Sequence, residues 1–154
     1  MELSLEWLII GSGWAKLTFR LGEESFEVIT SYLCDGLGSV VQAAVDLQGG
    51  SSSAVAFLAD EPAGTYLFFS GADQADGMGY LRAVTFADWM SRENPWANGR
   101  WRWHGRIPVE AFVRAVLGMA DEAAARWNPA GYEAAWGGGS FPAEQVERLR
   151  AALA

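Results

Sequence analysis

Leu3-Ser4-Leu5-Glu6-Trp7-Leu8-Ile9-Ile10-Gly11-Ser12-Gly13-Trp14-Ala15-Lys16-Leu17-Thr18-Phe19-Arg20-Leu21 is the stretch that decides the fold. Leu3, Leu5, Trp7 and Ile9 alternate with Ser4, Glu6 and Leu8, the period of a strand whose successive side chains face opposite ways. Gly11-Ser12-Gly13 punctuates the run. Ala15, Leu17, Phe19 and Leu21 then alternate with Lys16, Thr18 and Arg20. Gly22-Glu23-Glu24 turns the chain again into a third run, Phe26-Glu27-Val28-Ile29-Thr30. Short turns between alternating runs predict an antiparallel meander.

Beyond the meander the period changes. Leu37, Val40, Val41, Ala44, Val45 and Leu47 lie at helical spacing, with Asp35 placed to cap the first turn and Gly49-Gly50 to close the last. Short apolar strands follow at 54–59, 65–69, 80–86 and 100–104, separated by turn-forming residues. Residues 87–99 show no single period, and Pro95 argues against one regular element running through them. Pro108 opens a long helix that Asn128-Pro129 ends. A short helical turn then holds Tyr132 and Trp136, and a terminal helix spans 142–153. The expected class is α+β in the order βββ-α-ββββ-αα. It comprises a mainly antiparallel twisted sheet of about six or seven strands with helices packed on one face. A chain of 154 residues implies one domain, 1–154.

Charge and cysteine count narrow the partners. The formal net charge is −8, and residues 1–99 carry −9 of it while residues 100–154 carry +1. Phosphate neutralisation dominates binding to nucleic acid and to anionic membranes, so neither is expected as a partner. An acidic face can instead steer a basic protein, although solubility alone accounts for such acidity more often. Cys34 is the single cysteine, which excludes an intrachain disulfide and suits a reducing compartment. The start lacks a basic leader region, and no apolar run reaches membrane-spanning length, so a cytoplasmic location is expected.

Catalytic constellations are hard to assemble from one cysteine and one histidine. Gly11-Ser12-Gly13 fails as a dinucleotide loop, since Lys16 stands where the third glycine is needed and a strand follows instead of a helix. Cys34 with His104 is the one nucleophile–base pair this composition permits, and a buried inert thiol outweighs it. One Cys and one His cannot close a zinc site. Asp73-Gln74-Ala75-Asp76-Gly77 lacks the middle acid and distal glutamate of a calcium loop. Asp60-Glu61 and Asp121-Glu122 are neighbours whose side chains point apart. No catalytic residue, metal or cofactor is expected.

Arg100-Trp101-Arg102-Trp103-His104-Gly105-Arg106 is the most unusual stretch. On a regular strand Trp101 and Trp103 share one face, and Arg100, Arg102 and His104 share the other. Two readings compete. In the first, Arg100, Arg102, His104 and Arg106, with Trp96 beside them, form a site for a carboxylate, a phosphate or an acidic partner, or the indoles stack nucleobases. In the second, which carries more weight, the tryptophans are core and the arginines pair with acids of a neighbouring strand.

Three segments carry a resemblance. They are Glu6 to Ala15, Ser31-Tyr32-Leu33-Cys34-Asp35-Gly36-Leu37-Gly38, and Trp136 with Phe141-Pro142 before the last helix. Together they resemble a group of small bacterial α+β proteins of unassigned function. Some such acidic proteins resemble immunity proteins that neutralise the toxins of competing bacteria. The shared motifs are a hairpin, a helix cap and a helix start, so the resemblance transfers no catalytic residue. It implies a bacterial protein-binding module, in one form an immunity-type inhibitor. The alternative is a small-molecule site or enzyme built on 100–106; compatible with the binding module is a homodimer, in which a two-fold partner closes an exposed aromatic face of the open-edged sheet.

Overall fold

The computed structural model describes residues 2–154, Trp89 through its backbone alone. The meander forms as β1 (Leu3–Gly11), β2 (Trp14–Leu21) and β3 (Glu24–Ser31), all antiparallel. Its register sets Leu5, Phe19 and Phe26 in one row and Trp7, Leu17 and Val28 in the next, each row facing the core. The β1–β2 turn needs glycine. Gly13 sits at φ +80, and the Tyr32 ring lies 2.8 Å from where a β-carbon would project.

Helix α1 (Gly36–Gln48) starts as its sequence predicts, with Asp35 Oδ1 accepting from the Gly38 N–H at 2.9 Å. The remaining strands are β4 (Ala54–Asp60), β5 (Ala63–Ser70), β6 (Met78–Phe86) and β7 (Arg100–Pro108). They form a second antiparallel sheet in the order β4-β5-β6-β7, beside the first in the order β1-β2-β3. Class and element order are as expected, and the seven strands divide between two sheets.

Between β6 and β7, where the sequence shows no single period, the chain forms two short helices, α2 (Trp89–Glu93) and α3 (Pro95–Asn98). Asp88 Oδ1 accepts from Ser91 N–H at 2.8 Å, and Asn94 Oδ1 accepts from Ala97 N–H at 3.4 Å. Each caps one turn. Pro95 therefore opens α3 instead of blocking it, because the first helical position needs no N–H.

Helix α4 (Val109–Trp136) is broken at Asn128, whose φ of 50° is non-helical. Its Oδ1 accepts from Gly131 N–H at 2.9 Å, so it caps the final two turns with Pro129 first in line. Those turns carry Tyr132 and Trp136 into the core, where Trp136 meets Trp7 edge-on at 5.7 Å. Trp136 also accepts from Gly13 N–H through its carbonyl at 2.8 Å. Helix α5 (Ala143–Leu153) adds Val146 and Leu149. One buried cluster joins residues of both sheets with α1, α4 and α5. Among the described residues no helix is long and apolar enough to cross a membrane.

Strand β3 ties the sheets together by hydrogen bonding to β7 and β4 of the second one. Trp103 on β7 donates to Glu24 Oε2 at 2.7 Å, and Arg102 donates to the Glu27 carbonyl at 2.7 Å. Thr30 Oγ1 donates to the Ala59 carbonyl on β4 at 2.9 Å. These bonds hold the second sheet with one face on the core and leave the other for α2 and α3.

Candidate functional site

A bulge in β7 decides what the Arg/Trp stretch does. Val84 on β6 pairs with Trp101, but Ala83 pairs with Trp103, so Arg102 is an extra residue. The insertion breaks the simple alternation. Trp101 and Trp103 therefore do not share a face, contrary to the regular-strand expectation. Trp103 turns inward, 4.9 Å from Phe19. Gly105 makes room, since a β-carbon there would lie 2.8 Å from the Trp103 ring. Trp101 turns outward and stays 40% exposed.

The basic residues separate in the same way. Arg102 follows Trp103 to the inner side, where it donates to Thr85 Oγ1 at 3.3 Å as well as to the Glu27 carbonyl. Burial, and then the charge of Arg100, lower its pKa from the ordinary value. Arg100 stands in register with Thr85, in the row where Thr65 and Thr85 share a hydrogen bond. His104 and Arg106 stand in register with Arg82 and Tyr80 on the outer row. Of the five candidate residues, the structure gathers Trp96, His104 and Arg106 on one face and turns Arg100 and Arg102 away. An arginine ladder does not form.

Aromatic and cationic side chains make up the outer face. Trp96, held by the one-turn helix α3, lies 4.3 Å from Phe68 and 5.9 Å from Trp101. Trp101 Nε1 donates to the Trp96 carbonyl at 3.3 Å, which fixes the two indoles relative to each other. The Arg82 guanidinium carbon sits 3.9 Å from the Trp96 ring and 5.6 Å from the Tyr80 ring. Tyr80 Oη and His104 Nδ1 share a hydrogen bond of 2.7 Å, and Trp101 meets His104 edge-on at 5.5 Å. Farther along, Arg92 Nε donates to Tyr66 Oη at 3.1 Å. Arg106 pairs with Asp76 at 3.0 Å. That bond, after one from the Met78 N–H, holds the Asp76 carboxyl below its ordinary range.

Sequence reasoning missed Arg82, Tyr80 and the outward turn of Trp101. Tyr80 and Arg82 alternate along β6, which was a readable signal. The bulge has no glycine to mark it, and it is what brings Trp101 beside them.

Other chemistry stays dispersed. Cys34 lies against β4, with Sγ accepting from Ala59 N–H at 3.2 Å and 3.5 Å from the Phe57 carbonyl. His104 is on β7 at the opposite edge of that sheet, three strand spacings or about 14 Å away. The thiol and imidazole do not meet. Burial pushes the Cys34 thiol above its ordinary range. Among the described residues no three His, Cys, Asp or Glu side chains converge as a metal site requires. An open cleft of about 600 Å³ beside the β7–α4 junction carries Asp73, Asp76, Glu110 and Arg114. Its Arg114 pairs with Glu110 at 2.9 Å. Compared with known proteins, the chain matches no family model, no curated protein and no solved structure.

Proposed function

We propose that this chain is a non-catalytic protein-binding module of the bacterial cytoplasm, and that its partner docks on the outer face of the second sheet. The observation that carries this reading is the contacting pair Trp96 and Trp101, 36% and 40% exposed, with Arg82 stacked against Trp96. Tryptophan, tyrosine and arginine are the side chains that dominate interface energetics, and here they cluster on a rigid sheet. The dispersal of Cys34, His104 and the acids favours binding over catalysis. An immunity-type inhibitor is the form of this reading that the sequence resemblance supports.

The test is a paired capture with wild-type chain and the Trp96→Ala/Trp101→Ala variant as baits. A protein held by the first and bound at least thirtyfold more weakly by the second supports the reading, a ratio set by losing one hot spot of about 2 kcal/mol. Equal affinity for both baits contradicts it. In the inhibitor form, wild-type chain protects cells from the toxin encoded beside it and the double variant does not.

A second reading rests on a different surface. Ile10, Trp14 and Ile29 are 50%, 43% and 39% exposed at the hairpin end of the first sheet, a patch that favours self-association. Light scattering that returns a monomer at high concentration removes it.

A further inference from the structure

The outer face holds a cation without a counter-charge. Arg82 stands mid-strand on β6, in register between Phe68 on β5 and His104 on β7. Trp96 covers one face of its guanidinium at 3.9 Å. Among the described residues its buried Nε has no hydrogen-bond partner and no carboxylate pairs with Arg82. A partly desolvated donor with no acceptor destabilises the free fold. The chain has 19 acidic residues from which a partner could have been drawn. Asp76, the acid bound by Arg106 on this face, is already engaged at 3.0 Å. Local rules broken without compensation inside a fold mark functional positions.

We infer that Arg82 is an anion-binding site that receives a carboxylate from an acidic segment of the partner protein, with an apolar side chain of that segment lying on Trp96 and Trp101. The inference rests on the reading of this face as a binding surface. Only Nε of the guanidinium is buried, which leaves the terminal amino groups accessible, and their planar fork matches a carboxylate. The Trp101 N–H is spent on the Trp96 carbonyl, so this indole offers apolar surface instead of a donor. A nucleic acid strand would bring several phosphates against a chain of net charge −8, whereas one carboxylate meets Arg82 locally.

The test uses the full chain with nitrogen-15 labelling and three probes. They are an acetylated, amidated hexapeptide of alternating glutamate and leucine, its glutamine counterpart, and a six-nucleotide oligothymidylate. The glutamate peptide is expected to move the Arg82 Nε–H resonance and the Trp96 and Trp101 indole resonances. It is expected to bind about tenfold or more tightly than the glutamine peptide, and to lose the same factor in Arg82→Gln. Arg82→Lys keeps the charge without the fork and falls between. It decides the matter, with the wild-type glutamate-to-glutamine ratio, if Arg82→Gln fails to fold by near-ultraviolet circular dichroism. Tighter binding of oligothymidylate overturns the proposal in favour of a nucleic acid. Equal binding of both peptides, lost in Trp96→Ala/Trp101→Ala, overturns the anion site while the binding face survives. Absence of any shift at Arg82 with the glutamate peptide also overturns the anion site, and the paired capture then judges the face independently.

Discussion

Replacing Arg102 with methionine separates structure from binding in the stretch 100–106. Methionine keeps the unbranched stem and removes the guanidinium. The variant loses the 2.7 Å bond to the Glu27 carbonyl and the weaker 3.3 Å bond to Thr85 Oγ1. A hydrogen bond from a charged donor contributes about 1.5–3 kcal/mol in mutational series. Four features of this site lower that figure. The side chain is only half-buried, the Glu27 carbonyl can be rehydrated, and Thr85 keeps its 2.8 Å bond to Thr65. Arg100 also repels the guanidinium. A net loss of about 1–2 kcal/mol remains, or roughly 3–6 °C in Tm for a chain of this size. Calorimetry measures it, and the glutamate-peptide titration on the same variant measures binding. The expected outcome is a lower Tm with unchanged affinity. Unchanged Tm with lost affinity would refute the argument, because Arg102 would then belong to a ligand site and not to the joint between the sheets.

Three other substitutions or reagents probe the framework. Gly79→Ala would drive a methyl group into the Phe69 ring, itself buried against Phe112, so urea unfolding is expected to show a loss of about 1–3 kcal/mol, and an unchanged midpoint would contradict this packing. Tyr132→Phe removes a buried hydroxyl that makes no well-formed hydrogen bond among the described residues, so stability near pH 7 should hold. Burial raises the Tyr132 pKa from 10.0, so its contribution is complete below pH 10 and is lost as pH rises toward the higher folded value. Alkaline unfolding should therefore set in at higher pH in the phenylalanine variant than in wild type, and coincident curves would count against that. Cys34 should react with iodoacetamide at pH 8 at least tenfold more slowly in the folded chain than in guanidinium, since burial keeps it protonated, and equal rates would show an exposed thiol.

Periodicity carried most of the fold. The β1–β2–β3 meander, the Asp35 cap and the break at Asn128-Pro129 each follow from a local rule acting on adjacent residues. The helices α2 and α3 escaped because Pro95 reads as a breaker until Asp88 and Asn94 are seen to cap single turns on either side of it. The candidate site was half legible. Trp96, His104 and Arg106 do share a face, but alternation places Arg100, Arg102 and Trp101 on the wrong sides. One extra residue in β7 reverses everything before it, and a bulge of that kind depends on how β6 pairs, which adjacent residues do not encode. Arg82 and Tyr80 lie more than twenty positions from His104, so their meeting is a product of sheet register alone.

The tryptophans offer the most direct measurement of where this chain binds. Trp96 and Trp101 lie on the outer face of the second sheet, Trp14 lies on the first sheet, and Trp7 and Trp136 are 2% and 1% exposed in the core. Their indole N–H resonances can be followed as the partner recovered by the paired capture is added. Docking on the outer face of the second sheet moves Trp96 and Trp101 while Trp7, Trp136 and Trp14 hold their positions. Movement of Trp14 with Trp96 and Trp101 unchanged would place the interface on the first sheet and contradict it.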